Sequence, residues 1–301
     1  MKKTLRRRLV ISLTAYLLVS VFSISIMAHP GSGIVVDRRG EVYFLDTGSG
    51  VWKIDLQGKL THLPGPRFHW MTLDADDCFS TTHLPNGARG DVTRVGTSPT
   101  LLVASDYPLA IAASGNLYYP SYTAGSGLQL IELTPADQTR VMTTLSTAGS
   151  ENLRWLNGLA AGADGSLYYT EDDAIRRIST RGEVSTIIAK PKIPTCVSIA
   201  GTSRPMLRGL AADSQGTIYV AASGCGSVLK VSASGQVTTI HQLQSPWTPT
   251  AVALFEGNIY VLEYLQTAAS MEPEDRSAWL PRVRKITADG RTRIIANIDR
   301  R

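Results

Sequence analysis

Three stretches of the chain, residues 33–63, 158–188 and 209–240, can be written under one another as a single pattern. Each holds a short apolar strand, a glycine turn, a β-branched or aromatic strand, a second turn, an alternating strand, another glycine turn and a last strand. Further copies lie at 107–145 and 247–298, and a degraded one at 69–105. Aligned on Tyr43, Ser80, Tyr118, Tyr168, Tyr219 and Tyr260, the copies recur at intervals of 37, 38, 50, 51 and 41 residues. A four-stranded cassette cannot bury both of its faces alone, so copies at this period stack into a ring. The expectation is an all-β chain: a six-bladed β-propeller of four-stranded antiparallel blades, with little helix and well-buried inner strands. A sandwich is the competing all-β solution, but its strands do not recur as near-identical cassettes.

The propeller occupies residues 29–301 as one domain, because the first 28 residues read differently. Lys2, Lys3, Arg6, Arg7 and Arg8 precede an apolar run from Leu9 to Met27, followed by Ala28-His29-Pro30. This is the layout of an export signal, either cleaved after Ala28 or retained as a signal anchor. Both readings put the body outside the cytoplasm, periplasmic or extracellular. Membrane attachment is expected only if the segment is retained. The formal net charge of +5 belongs entirely to that leader, and residues 29–301 carry equal numbers of basic and acidic groups. A nucleic-acid partner is therefore not expected, since such proteins present a basic domain or stripe.

The copies also separate two ends of the ring. Turns between the first and second and between the third and fourth strands are short and glycine-bearing, as at Arg38-Arg39-Gly40 and Ser234-Gly235, because tight hairpins need positive φ. The other end collects the long segments, roughly 84–91, 146–156, 189–207 and 265–282. Insertions gathered on one end mark it as the candidate binding face. Residues just before the inner strands, at the mouth of the channel, are Ser32, His69, Tyr107, Asn157, Arg208 and Pro249. The last residues of the second strands are Asp46, His83, Ser121, Glu171, Ala222 and Glu263. Asp46, before Thr47-Gly48, also suits an acid closing its own turn, and Glu171 and Glu263 share that slot.

The motif G-[IL]-[AV]-x-[DG]-x-x-G-x-[VIL]-Y, followed in the first copy by Asp46-Thr47-Gly48, resembles NHL repeats. It is similar as well to blades of the senescence-marker/gluconolactonase (SMP-30) family, and both groups are six-bladed propellers. The likeness spans nearly all of residues 29–301 and speaks for fold more than for function. The resemblance implies a divalent cation held by a Glu, an Asn and an Asp from different blades, which polarises a lactone carbonyl. Asn157 falls where that family has its Asn, but Arg208 stands at the place of its Asp, and no Glu lies near Ser32. A guanidinium in place of a carboxylate turns a cation site into an anion site.

Two chemical readings follow. In the first, the loop-rich face binds a small molecule or peptide, an acidic one if Arg208 takes part, with His69, Tyr107, Asn157, Glu171 and Glu263 around it. In the second, a lactonase-like hydrolase or lyase uses a divalent metal, zinc or calcium, in the channel. A metal set drawn from the residues alone is His69 and His83, facing across a hairpin of the second blade, with Asp46 from the neighbouring blade. No G-x-S-x-G, H-E-x-x-H or G-x-x-x-x-G-K-[ST] segment names a nucleophile, zinc pair or phosphate loop. Of three cysteines, strand parity puts Cys196 and Cys225 on the loop-rich face and Cys78 on the opposite one. A Cys196–Cys225 disulfide is therefore expected, with Cys78 left over.

Overall fold

Strands that are apolar on both faces need a partner on each side, and six sheets arranged around an axis provide it. The computed structural model describes residues 30–79, 84, 92–123, 125–146, 156–194, 196, 204–265 and 279–299. Blade 1 consists of β1 (Ile34–Val36), β2 (Val42–Asp46), β3 (Gly50–Ile54) and β4 (Leu60–Leu63). Blade 2 has β5 (Trp70–Asp74), β6 (Val92–Val95) and β7 (Thr100–Ala104), and blade 3 has β8 (Ala110–Ile111), β9 (Leu117–Thr123), β10 (Gly127–Leu133) and β11 (Thr139–Ser146). Blade 4 is built from β12 (Gly158–Ala161), β13 (Leu167–Glu171), β14 (Ala174–Ile178) and β15 (Val184–Ala189). Blade 5 is built from β16 (Leu207–Ala212), β17 (Ile218–Ala222), β18 (Ser227–Val231) and β19 (Val237–Gln242). Blade 6 comprises β20 (Trp247–Phe255), β21 (Asn258–Leu265), β22 (Pro281–Ile286) and β23 (Thr292–Asn297). Among the described residues the only helical element is a single turn of 3-10 helix at Ser223–Cys225.

Five sheets are antiparallel meanders in chain order, and their first strands stand side by side around the axis with β5 among them. The ring closes where β20 meets β1. No strand is exchanged there, since blade 1 comes wholly from the N-terminal part of the propeller and blade 6 wholly from the C-terminal part. What holds the seam is packing. Ile34, Val42 and Phe44 share one buried cluster with Tyr260, Leu262, Tyr264 and Val283. The fully buried Tyr264 also donates its hydroxyl to the Leu45 carbonyl at 2.7 Å. Removing that hydroxyl in Tyr264→Phe leaves a buried carbonyl with one bond fewer, so a loss of about 1 kcal/mol is expected. The test is a lower urea midpoint with an unchanged m-value.

Blade 2 departs from the expected cassette. Its described sheet has three strands in the order β5-β7-β6, and Trp70 faces Ala104 while Asp74 faces Thr100. The strand beside β5 is thus β7, with β6 on its far side. Phe79 from that segment is buried with Val92, Leu102, Tyr107 and Leu109. The residue that closes the strand next to β5 is Ala104, not His83. Period counting places a second strand around Ser80, whereas the strand that pairs with β5 is Thr100–Ala104, and Phe79 and Leu84 pack into the blade 2–3 core.

The inner strands are also more open than expected. Val35 and Val36 of β1 and Ala160 and Ala161 of β12 are only partly buried. Each inner strand is the end strand of its sheet, with a ladder on one side only, and its other edge borders the central channel.

Candidate functional site

The channel is a cavity of about 390 Å³ walled by all six inner strands. Ser32 and Thr72 bring hydroxyls to its lining, Trp70 an indole and Met71 a thioether, and the other lining side chains are aliphatic or absent. No charged side chain lines it among the described residues.

At its loop-rich end the blades are tied to one another in sequence. The Ser32 amide donates to the His69 carbonyl at 2.7 Å, the Thr170 hydroxyl to the Arg208 carbonyl at 2.8 Å, and the Ser223 hydroxyl to the Pro249 carbonyl at 2.5 Å. These bonds fix the backbone of the mouth residues while leaving some of their side chains uncommitted.

Arg208 is the clearest case. In β16, Leu207 pairs with Ala222 and Leu210 with Val220, so Arg208 and Gly209 together stand opposite Ala221. This bulge changes the strand's parity. Leu207, Leu210 and Ala212 all pack into the blade 4–5 core, a face that unbroken alternation would have given to Arg208. Gly209 permits the irregularity, since a Cβ there would lie 2.6 Å from the Cβ of Ala251 on the neighbouring inner strand.

The re-aimed guanidinium has no hydrogen bond or ion pair with any described residue. Protein surrounds it, yet part of the residue's surface stays open. Burial alone pushes its pKa down to about 10, with no carboxylate opposing the shift. Asn157, which opens the adjacent blade, donates its backbone N–H to the Thr170 carbonyl at 2.9 Å and is only partly buried. The Ser32 hydroxyl is buried without a partner among the described residues.

The other expected site residues are engaged elsewhere. His69 is buried, with Nδ1 donating to the Ser105 carbonyl at 2.8 Å and its ring against Trp70. Tyr107 lies in the blade 2–3 core beside Tyr119. Asp46 accepts from the Gly48 amide at 2.9 Å and from the Ser49 hydroxyl, closing its own turn. Glu171 takes the Nε of Arg176 at 2.7 Å. Glu263 is fully buried between Arg282 and Arg284, at 2.5 and 2.6 Å. Arg208 therefore shares no ion pair with either glutamate.

His83 lies outside the described residues, and among those residues the strand paired with β5 is β7. Among the described residues no three His, Cys, Asp or Glu side chains converge in a way that could hold a metal. A guanidinium, as at Arg208, does not ligate zinc or calcium, which take imidazole, thiolate or several carboxylate and carbonyl oxygens.

The cysteines pair as the strand parity implies. Cys196 and Cys225 form a disulfide with Cα atoms 4.5 Å apart, and Cys78 is free. The bridge pins the segment leading into β16, and an acid not singled out in the sequence holds the same segment from blade 4. Asp173 accepts from Arg204 Nε at 2.8 Å and the Met206 amide at 3.1 Å, and its carbonyl accepts from the Lys190 amide at 3.0 Å. The signal was the run Glu171-Asp172-Asp173, an acidic turn that the neighbouring copies lack. On the blade 5 side, the Gly224 amide donates to the Pro205 carbonyl, and a Cβ on Gly224 would lie 2.1 Å from the Arg204 carbonyl oxygen. Among the described residues no helix is long and apolar enough to cross a membrane.

Comparison with protein-family models and with curated protein sequences gives no match. Solved structures do match. A streptogramin B lyase aligns with a TM-score of 0.52 at 16% identity, over 91% of this chain and 85% of the other. A luciferin-regenerating enzyme gives 0.51 at 16% identity, over 87% and 93%. Regucalcin of Agrobacterium tumefaciens, described as a calcium-binding protein, gives 0.50 at 13% identity, over 79% and 83%. At these identities the likeness is one of fold: the chain is a six-bladed β-propeller of the architecture that these proteins, regucalcin of the SMP-30 family among them, share.

Proposed function

We propose that this is an exported propeller that binds an acidic ligand at the loop-rich mouth of its channel, with Arg208 as the anion-binding group. The observation that carries the reading is the guanidinium itself, re-aimed by a bulge, enclosed by protein and left without a counter-charge among the described residues. A cation in that position costs stability at every pH below about 10, where it is charged, and a bound anion would recover part of that cost. Asn157 and Ser32 offer further hydrogen bonds at the same end. The disulfide supports export, since such bonds persist in oxidising compartments.

The expected results have opposite signs for stability and for binding. Arg208→Met removes the enclosed charge and should raise the melting temperature of the ligand-free protein, by roughly 2–4 °C for each kcal/mol recovered. The same change should abolish the stabilisation that carboxylates give the unaltered protein. In the unaltered protein that stabilisation should fade as pH rises through about 10, where the guanidinium loses its charge. Thermal unfolding with and without a panel of small acids reads all three. Acid-induced stabilisation that survives Arg208→Met would sink the assignment.

A further inference from the structure

The channel wall narrows the ligand class, in an inference that rests on the acid-binding reading above. We infer that the acid is the C-terminal carboxylate of a peptide whose last residues lie in the channel against the free edges of the inner strands, the tail entering from the short-turn end so that its carboxylate reaches Arg208 at the loop-rich mouth.

Every inner strand has a ladder partner on one side only, so about half of its backbone N–H and C=O groups point toward the axis with no strand to pair with. Edges of this kind are bound by an extended peptide, whose donors and acceptors repeat at the strand's own spacing. On the side of blades 4 to 6 the wall carries Gly158, Ala160, Gly209, Ala211, Ala251 and Ala253, small residues that leave backbone groups within reach. Each of those blades lines the channel with a run such as Gly209–Ala212, roughly 13 Å of strand, which suits a tail of three or four residues.

The charge distribution selects the same ligand. With Arg208 at the mouth and no charged side chain in the described lining, one negative charge is accommodated, and a second one farther along the ligand would be desolvated without a partner. That favours a peptide end with uncharged terminal residues over a nucleotide, a phosphorylated sugar or an acidic stretch of chain. Guanidinium and carboxylate also meet in a planar, two-bonded geometry that an ammonium does not provide.

Isothermal titration of the full exported chain with three probes tests the proposal: N-acetyl-Ala-Ala-Ala with a free carboxylate, the same tripeptide as its C-terminal amide, and acetate. The free-acid peptide should bind at least tenfold more tightly than either of the others, and Arg208→Gln should erase the difference between acid and amide. Because the acid–amide comparison uses unaltered protein, it stands even if the variant folds poorly. Acetate binding as tightly as the peptide would overturn the peptide assignment while leaving the acid-binding reading intact. Equal binding of acid and amide would overturn carboxylate capture by Arg208. No binding of any probe at millimolar concentration would remove both readings together.

Discussion

Glu263→Ala should destabilise the propeller by about 3–5 kcal/mol, the largest effect expected of any single substitution considered. The carboxylate is fully buried and stands between Arg282 and Arg284, themselves mostly covered, with the Arg282 guanidinium stacked 3.7 Å from the Trp247 ring centroid. Removing it leaves two enclosed cations facing each other. Glu171 occupies the corresponding position of blade 4, where it pairs with Arg176 but stays partly open to water, whereas Glu263 is fully buried. Glu171→Ala should therefore cost about 1 kcal/mol, near the range of exposed pairs. Replacing Glu263, Arg282 and Arg284 together by apolar residues should recover most of the Glu263→Ala loss, because the penalty lies in unpaired charge rather than in a missing contact. Urea unfolding of the variants gives the comparison, and a Glu263→Ala cost below about 1 kcal/mol would contradict the buried network.

Loss of the Cys196–Cys225 bridge should cost about 2–4 kcal/mol, with a sequence separation of 29 residues setting the chain-entropy contribution. The cost belongs at the lower end of that range, because Asp173 and the Pro205–Gly224 bond still tie the segment to blades 4 and 5. The functional effect should be larger than the structural one. The pinned segment feeds directly into Leu207 and Arg208, so its release frees the mouth residue that the bulge positions. The double variant Cys196→Ala/Cys225→Ala is thus expected to weaken acid binding more than its drop in melting temperature accounts for. Non-reducing peptide mapping should find Cys78 as the only thiol that alkylates in the native protein. Alkylation of Cys196 and Cys225 without reductant would contradict the bridge.

Strand periodicity carried most of the architecture because each blade is a local unit. The turn glycines, the alternation of β2, β13 and β17 and the recurrence of Tyr43, Tyr168, Tyr219 and Tyr260 are set by residues within a few tens of positions. The disulfide was legible for the same reason, since strand parity assigns each cysteine to an end of the ring without knowledge of neighbouring blades. Blade 2 was misread where that locality failed. Phe79 serves a core shared with blade 3, and the strand that pairs with β5 comes from Thr100–Ala104, a pairing that the spacing of the copies does not reveal.

The site divided along the same line. Sequence alone determined that Arg208 stands at the start of an inner strand, that Asn157 opens the blade before it, and that the long segments collect at their end of the ring. Only the tertiary structure decided which polar groups there are already spent. Glu263 on two arginines, Glu171 on Arg176, Asp46 on its own turn and His69 on the Ser105 carbonyl are pairings that alignment of the copies does not distinguish from open positions. The bulge that turns Arg208 out of the blade 4–5 core is also invisible to a two-residue period, because it arises where Leu207 takes the core position and Gly209 meets Ala251 of the next blade. Residue type and spacing fix which groups can reach the mouth, whereas hydrogen-bond saturation between blades fixes which of them remain available to a ligand.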